Sequence, residues 1–247
     1  MKRPKPTKTR TEMLDRSSNP RARSFPKITP KTYNQELFVE SLKNDKLVIG
    51  AGSAGTGKTY QSCNHAAEQL YHGNTKKIIL IRAYQPLAGR SIGFLPGTAE
   101  EKLLPYYQQM ISYLEDFLGK AQVEIFMKRG AIEICSLETI RGRSWDNSVI
   151  IVDEAQNLYA QEVQALVTRL GEYSQMVLIG DDSGIQTDVR NKKDGLSYLL
   201  GIVEKYNIQG VGVTFFDYED ILRSDITKEF VIAFDSELQE EKKRGEK

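Results

Sequence analysis

Gly52-Ser53-Ala54-Gly55-Thr56-Gly57-Lys58-Thr59 spaces its glycines, lysine and hydroxyl as a phosphate-binding loop does. Glycines let the backbone turn so that successive N–H groups converge on one anion, and a helix starting at the loop adds the positive end of its dipole. In such a loop Lys58 reaches the β and γ phosphates of a nucleoside triphosphate, while the Thr59 hydroxyl ligates Mg²⁺. The metal also needs an acid. Ile150-Ile-Val-Asp153-Glu154-Ala-Gln156 supplies one, as an apolar run ending in two carboxylates. Asp153 is expected to hold Mg²⁺, and Glu154 to orient the attacking water and take its proton. The second carboxylate points to hydrolysis rather than transfer to a small alcohol. A Gly-rich turn before a helix and an acidic pair at a helix start are plainer readings of each motif alone. Finding both at the ends of apolar runs in one chain favours the nucleotide site. Gln35, seventeen residues ahead of Gly52, carries an amide able to pair with adenine N6 and N7. A surface glutamine ahead of a helix produces the same pattern.

These side chains need elements to hold them. Lys46–Gly50 reads as a strand leading into the loop, followed by a helix from Lys58 to about His72 that Gly73-Asn74 stops. Ile78–Ile81 is a second strand, and Thr98-Ala-Glu-Glu101 has capping-box spacing, so a helix is expected there. Pro105 is expected to interrupt it, with Tyr106–Leu118 helical beyond. Val123–Phe126 and Ala131–Cys135 suggest two short strands around Lys128-Arg-Gly130. Val149–Val152, apolar throughout, predicts a central strand covered on both faces. A helix over Ala160–Leu170, a strand over Met176–Ile179, a helix over Gly195–Tyr206 and a strand over Gly212–Phe216 follow. Ile226–Phe234 is helix or strand. The alternation predicts an α/β fold, a mostly parallel sheet with helices on both faces.

Composition bounds the rest. The formal net charge is +1, yet residues 1–31 hold ten Lys or Arg against Glu12 and Asp15, a charge of +8 that leaves −7 for the remaining 216 residues. Five of the eight prolines also fall in that arm, which has too few large apolar residues to fold alone. The expected organisation is a basic disordered tail over 1–31, a single domain over 32–235 and a charged C-terminal tail over 236–247. No apolar run approaches membrane-span length, so no membrane partner is expected. No apolar stretch backs the charged N-terminus, so no secretory leader is expected. Two cysteines, Cys63 and Cys135, exclude a disulfide framework and fit a reducing, cytoplasmic setting.

Together the motifs resemble the PhoH-like ATPases, relatives of superfamily 1 helicase cores. The resemblance runs from about Thr32 to Phe234. It rests on Gly52–Thr59 followed by Tyr60, Ile81-Arg82, Gly93-Phe-Leu-Pro-Gly97 with Glu101-Lys102 and Pro105-Tyr106, Arg141-Gly-Arg143, Val152-Asp-Glu-Ala-Gln-Asn157, Thr168-Arg-Leu-Gly171, and Gly180-Asp181. It implies a RecA-like P-loop NTPase sheet, ATP and Mg²⁺ as cofactors, and action on RNA or single-stranded DNA. Gln35 is then similar to an adenine-reading glutamine, Tyr60 follows the nucleotide loop, and Gln156 neighbours the γ-phosphate. Arg82, Arg141 and Arg143 would contact nucleic acid, and Arg223, in Asp220-Ile-Leu-Arg223, would sense or stabilise the transferred phosphate. For each arginine a solvated surface charge is the plainer reading. Two departures stand out. The family's Gly-Asp is followed, after two intervening residues, by Gln, whereas here Gln186 lies two positions further on, and Arg90 stands where relatives tend to have an acid. A single core also implies completion by a neighbouring copy, as a homo-oligomer of about six subunits by analogy, with an arginine supplied in trans. A reading of a different class is a nucleotide-switched nucleic-acid-binding module that works through its basic tail with little hydrolysis. A small-molecule kinase would need an acceptor pocket and lid that no segment supplies.

Overall fold

Among the described residues six strands, numbered in chain order from β1 (Leu47–Gly52) to β6 (Val211–Phe216), form one sheet in the order β3-β2-β4-β5-β1-β6, every neighbouring pair parallel. The computed structural model describes residues 24–83, 99–140, 142–181 and 194–245. Thr98, Arg90, Arg141, Gln186 and most of the basic arm lie outside the described residues.

The strands are β1 (Leu47–Gly52), β2 (Lys77–Arg82), β3 (Ile132–Cys135), β4 (Ser148–Asp153), β5 (Gln175–Gly180) and β6 (Val211–Phe216). β1 and β4 are buried at every residue, as continuous apolar runs flanked by neighbours on both sides must be. Successive side chains point to opposite faces. Val48, Ile78, Leu80, Ile151 and Val177 enter one core with Phe38, Leu42, Cys63, Leu114 and Val123. Ile49, Ile79, Ile150 and Leu178 enter the other with Val163, Leu166, Leu196 and Leu199. Helices α1 (Tyr33–Asn44), α2 (Lys58–Tyr71), α3 (Ala99–Leu118) and α4 (Lys120–Lys128) therefore cover one face, and α5 (Ala160–Val167) and α6 (Gly195–Tyr206) the other. The α/β expectation, with helices on both faces, is met. Among the described residues no helix is long and apolar enough to cross a membrane.

Three local expectations are corrected. Val123–Phe126 is not a strand but part of α4, because Val123, Phe126 and Met127 repeat at helical spacing and pack on the core. Gly119, at φ 85°, makes the break between α3 and α4. Pro105 does not interrupt α3. Burial of Tyr107, Met110, Ile111, Leu114 and Phe117 outweighs the roughly 3 kcal/mol that an internal proline costs. Phe25, inside the arm expected to be disordered, is 7% exposed and packs on Tyr71 and Phe117, so the core reaches back beyond Thr32. Ile226–Phe234 resolves as helix within α7 (Asp225–Gly245), which passes Ser236 without a break.

Candidate nucleotide site

Because the sheet is parallel, β1, β4 and β5 all end at one edge, and β5 separates the strand carrying the phosphate loop from the strand carrying the acidic pair. The gap opens into a cavity of about 310 Å³.

The loop is shaped by its glycines. Gly57 has φ 87° and serves as the N-cap of α2, a left-handed turn that an L side chain resists. A Cβ on Gly52 would lie 2.3 Å from the Phe216 carbonyl, so only glycine lets β1 pass β6 there. Lys58 is 9% exposed and closes the loop on itself. Its Nζ donates to the Gly52 and Ser53 carbonyls, each at 2.7 Å, and to Thr56 Oγ1 at 3.0 Å. The ammonium thus already stands inside the curve, its charge on carbonyl oxygens that an incoming phosphate can replace.

Asp153 ends β4, and Thr59 Oγ1 donates to its Oδ1 at 3.3 Å. Burial pushes the Asp153 carboxyl up to about 6; Arg82 pulls it down and Glu154 pushes it further up. Burial thus outweighs the guanidinium 3.7 Å away, and with the Thr59 hydroxyl this carboxylate offers a hard cation two oxygens on the cavity wall. Among the described residues no group of three or more His, Cys, Asp or Glu gathers. The paired hydroxyl and carboxylate oxygens of Thr59 and Asp153 fit Mg²⁺, which takes few protein oxygens and completes its shell from phosphate and water.

Glu154 follows at φ 57°, a strained left-handed position for this residue. Its Oε1 accepts from Arg82 Nη2 at 3.1 Å and its Oε2 from Gln156 Nε2 at 2.7 Å. Gln156, 1% exposed, accepts from the Asp181 N–H at 3.0 Å through Oε1, which links the acidic pair to the end of β5. Gly180 leaves room for that amide, since a Cβ there would lie 2.6 Å from Gln156 Oε1.

The remaining expected residues divide. Gln35 is 2% exposed; its Nε2 donates to the Thr56 carbonyl at 2.9 Å and its Oε1 accepts from the Lys31 N–H at 2.8 Å. Its amide is thus committed to bracing the loop rather than standing open to a base. Arg223 lines the cavity over Gly55, where an added Cβ would meet its Nε at 2.9 Å, and the adjacent Leu222 N–H donates to the Gly55 carbonyl at 3.1 Å. Arg82, expected to face nucleic acid, instead turns onto Asp153 and Glu154. Arg143 lies away from the cavity, paired at 3.5 Å with Glu133, which Lys77 also engages.

Sequence reasoning missed Gln109 and Tyr113, which bring α3 to the cavity rim beside Tyr60; the Tyr60 and Tyr113 rings meet edge to face at 5.2 Å. It also missed Asp220 as an anchor. This carboxylate, 1% exposed, accepts from the Thr32 hydroxyl, the Asn34 amide and the Asp217 N–H, and so ties the start of α1 to the loop bearing Arg223. No local pattern marks either feature, because both depend on contacts between segments far apart in the chain.

A loop that presents lysine and hydroxyl to the same cavity as a paired acid, across an inserted parallel strand, is the architecture of P-loop NTPases. Within that class the chain belongs to the PhoH-like protein family, whose family model matches residues 27–235. It is 38% identical over 210 residues to a PhoH-like protein of Bacillus subtilis (strain 168), covering 85% of this chain and 65% of that one. It is 33% identical over 210 residues to Protein PhoH of Escherichia coli (strain K12), covering 84% of this chain and 58% of that one. The chain thus spans less than two thirds of the length of these relatives. Among solved structures, the UvsW helicase from bacteriophage T4 aligns with a TM-score of 0.44 at 15% identity, covering 77% of this chain and 60% of that one.

Proposed function

We propose that this protein is a Mg²⁺-dependent ATP hydrolase of the PhoH type, acting as a homo-oligomeric, helicase-like motor or remodeller on RNA or single-stranded nucleic acid. The observation that carries the reading is the convergence of Lys58, Thr59, Asp153 and Glu154 on one cavity. Lys58 exchanges its carbonyl partners for β- and γ-phosphate oxygens. Thr59 and Asp153 hold Mg²⁺, which when bound offsets the charge of the phosphates. Glu154 accepts a proton from water as the water oxygen bonds to the γ-phosphorus and the bond to the β–γ bridging oxygen breaks. Gln156 fixes the Glu154 carboxylate relative to the end of β5, and Arg223 stands ready to offset charge on the loop side.

ATP turnover with and without single-stranded RNA and DNA, across a salt series, tests this. Mg²⁺-dependent turnover that Glu154→Gln abolishes while nucleotide still binds is the expected result; turnover unaffected by that change refutes the assignment. Both oxygens of Glu154 are engaged by protein donors, an observation that favours the second reading, a nucleotide-gated nucleic-acid-binding module. Nucleotide-dependent binding of RNA or DNA without turnover would establish that module instead.

A further inference from the structure

Arg82 ends β2 beside β4, with register pairing Arg82 to Asp153, so its guanidinium reaches the acidic pair directly. Nη2 donates to Glu154 Oε1 at 3.1 Å; Nη1 donates to the Tyr106 carbonyl at 2.9 Å and lies 3.7 Å from Asp153 Oδ2. The other Glu154 oxygen is taken by Gln156 at 2.7 Å. A water approaching this carboxylate therefore finds both oxygens already taken by protein donors, and the charge-assisted bond from Arg82 is the one that must open to admit it. The Arg82 backbone is itself fixed, its N–H donating to the Tyr107 hydroxyl at 3.1 Å, while its side chain remains 20% exposed. Main chain anchored and guanidinium within reach of solvent is the arrangement of a part that can swing.

We infer that Arg82 is a latch on Glu154: in the resting protein it withholds the carboxylate from the attacking water, and a backbone phosphate of bound nucleic acid draws the guanidinium away. The inference rests on the hydrolase reading above and deepens it. A phosphodiester oxyanion offers a guanidinium the same forked acceptor geometry that a carboxylate does, so the exchange replaces one charged partner with another. Arg82 is then a positioning residue that acts through Glu154.

The experiment measures ATP turnover at saturating Mg²⁺ for wild type, Arg82→Ala and Arg82→Lys, each alone and with single-stranded RNA or DNA oligonucleotides. Binding of a fluorescent ATP analogue reports that each variant is folded. Arg82→Ala is expected to raise basal kcat by about tenfold, the factor matching one charge-assisted hydrogen bond near the low end of its range. It should also lose stimulation by the polymer. Arg82→Lys keeps the charge without the fork and should fall between, and it decides the matter if the alanine variant does not fold. Basal kcat that falls or stays level in a nucleotide-binding Arg82 variant overturns the latch, and wild type that neither polymer stimulates overturns release by nucleic acid. Wild type and variants that all bind nucleotide yet never turn over refute the hydrolase reading instead.

Discussion

Lys58 is bonded to its own loop through three oxygens, which sets the expected consequence of removing it. Lys58→Ala strips a buried cation from those oxygens and the phosphate chain of its partner, so ATP affinity should fall by at least about tenfold, as for loss of a charge-assisted bond. Equilibrium titration with a fluorescent ATP analogue checks this; unchanged affinity would remove the loop from the binding site. Gln35 makes a subtler case. Its side chain braces the Thr56 carbonyl instead of facing open space. Gln35→Ala should therefore weaken binding of GTP and ATP alike, because the loop itself loses support. A residue that reads adenine would weaken ATP alone, and comparing the two nucleotides by calorimetry separates these roles.

At the scale of elements, α2 carries the phosphate loop's lysine at one end and His65 near its middle, and burial pushes the His65 imidazole below its ordinary value. Above about pH 6.5 the ring is neutral both folded and unfolded and contributes no pH dependence. Below that, the unfolded chain takes up a proton that the folded site resists, so stability falls until the pH passes the lowered folded value. The melting temperature should therefore drop more between pH 7 and 5 in wild type than in His65→Gln, and parallel curves would refute the prediction. The helix α3 illustrates the opposite balance. Leu114, fully buried in the core shared with α2, should cost about 2–5 kcal/mol when cut to alanine, measurable by urea denaturation. That packing is what carries α3 through Pro105, which local propensity alone marks as a stop. Val123–Phe126 misleads for a related reason, since a short apolar run fits strand or helix and only the surface it packs on decides.

At the scale of the chain, the charge split and the proposed assembly of neighbouring copies make the predictions. Phe25 lies in the core, so a tail deletion should stop at residue 23; it removes eight Lys or Arg. Nucleic-acid affinity should fall and its dependence on salt should flatten, the logarithmic slope by up to about 0.7 for each single-strand phosphate that the arm neutralises, while ATP affinity is unchanged. If neighbouring copies complete the site, mixing wild type with Lys58→Ala subunits should depress turnover more steeply than in proportion, whereas strict proportion with a monomeric mass would refute assembly. The sequence by itself determined the phosphate loop, the acidic pair and the parallel α/β alternation, because each is local: a glycine turn, a charge at a strand end, a period of apolar residues. Only the tertiary structure decided that Arg82 faces Glu154 rather than an open surface, that Gln35 braces the loop, and that Asp220, Gln109 and Tyr113 belong to the site. These outcomes depend on which strands lie side by side and which helices cross them, and that adjacency is set by packing between segments far apart in the chain.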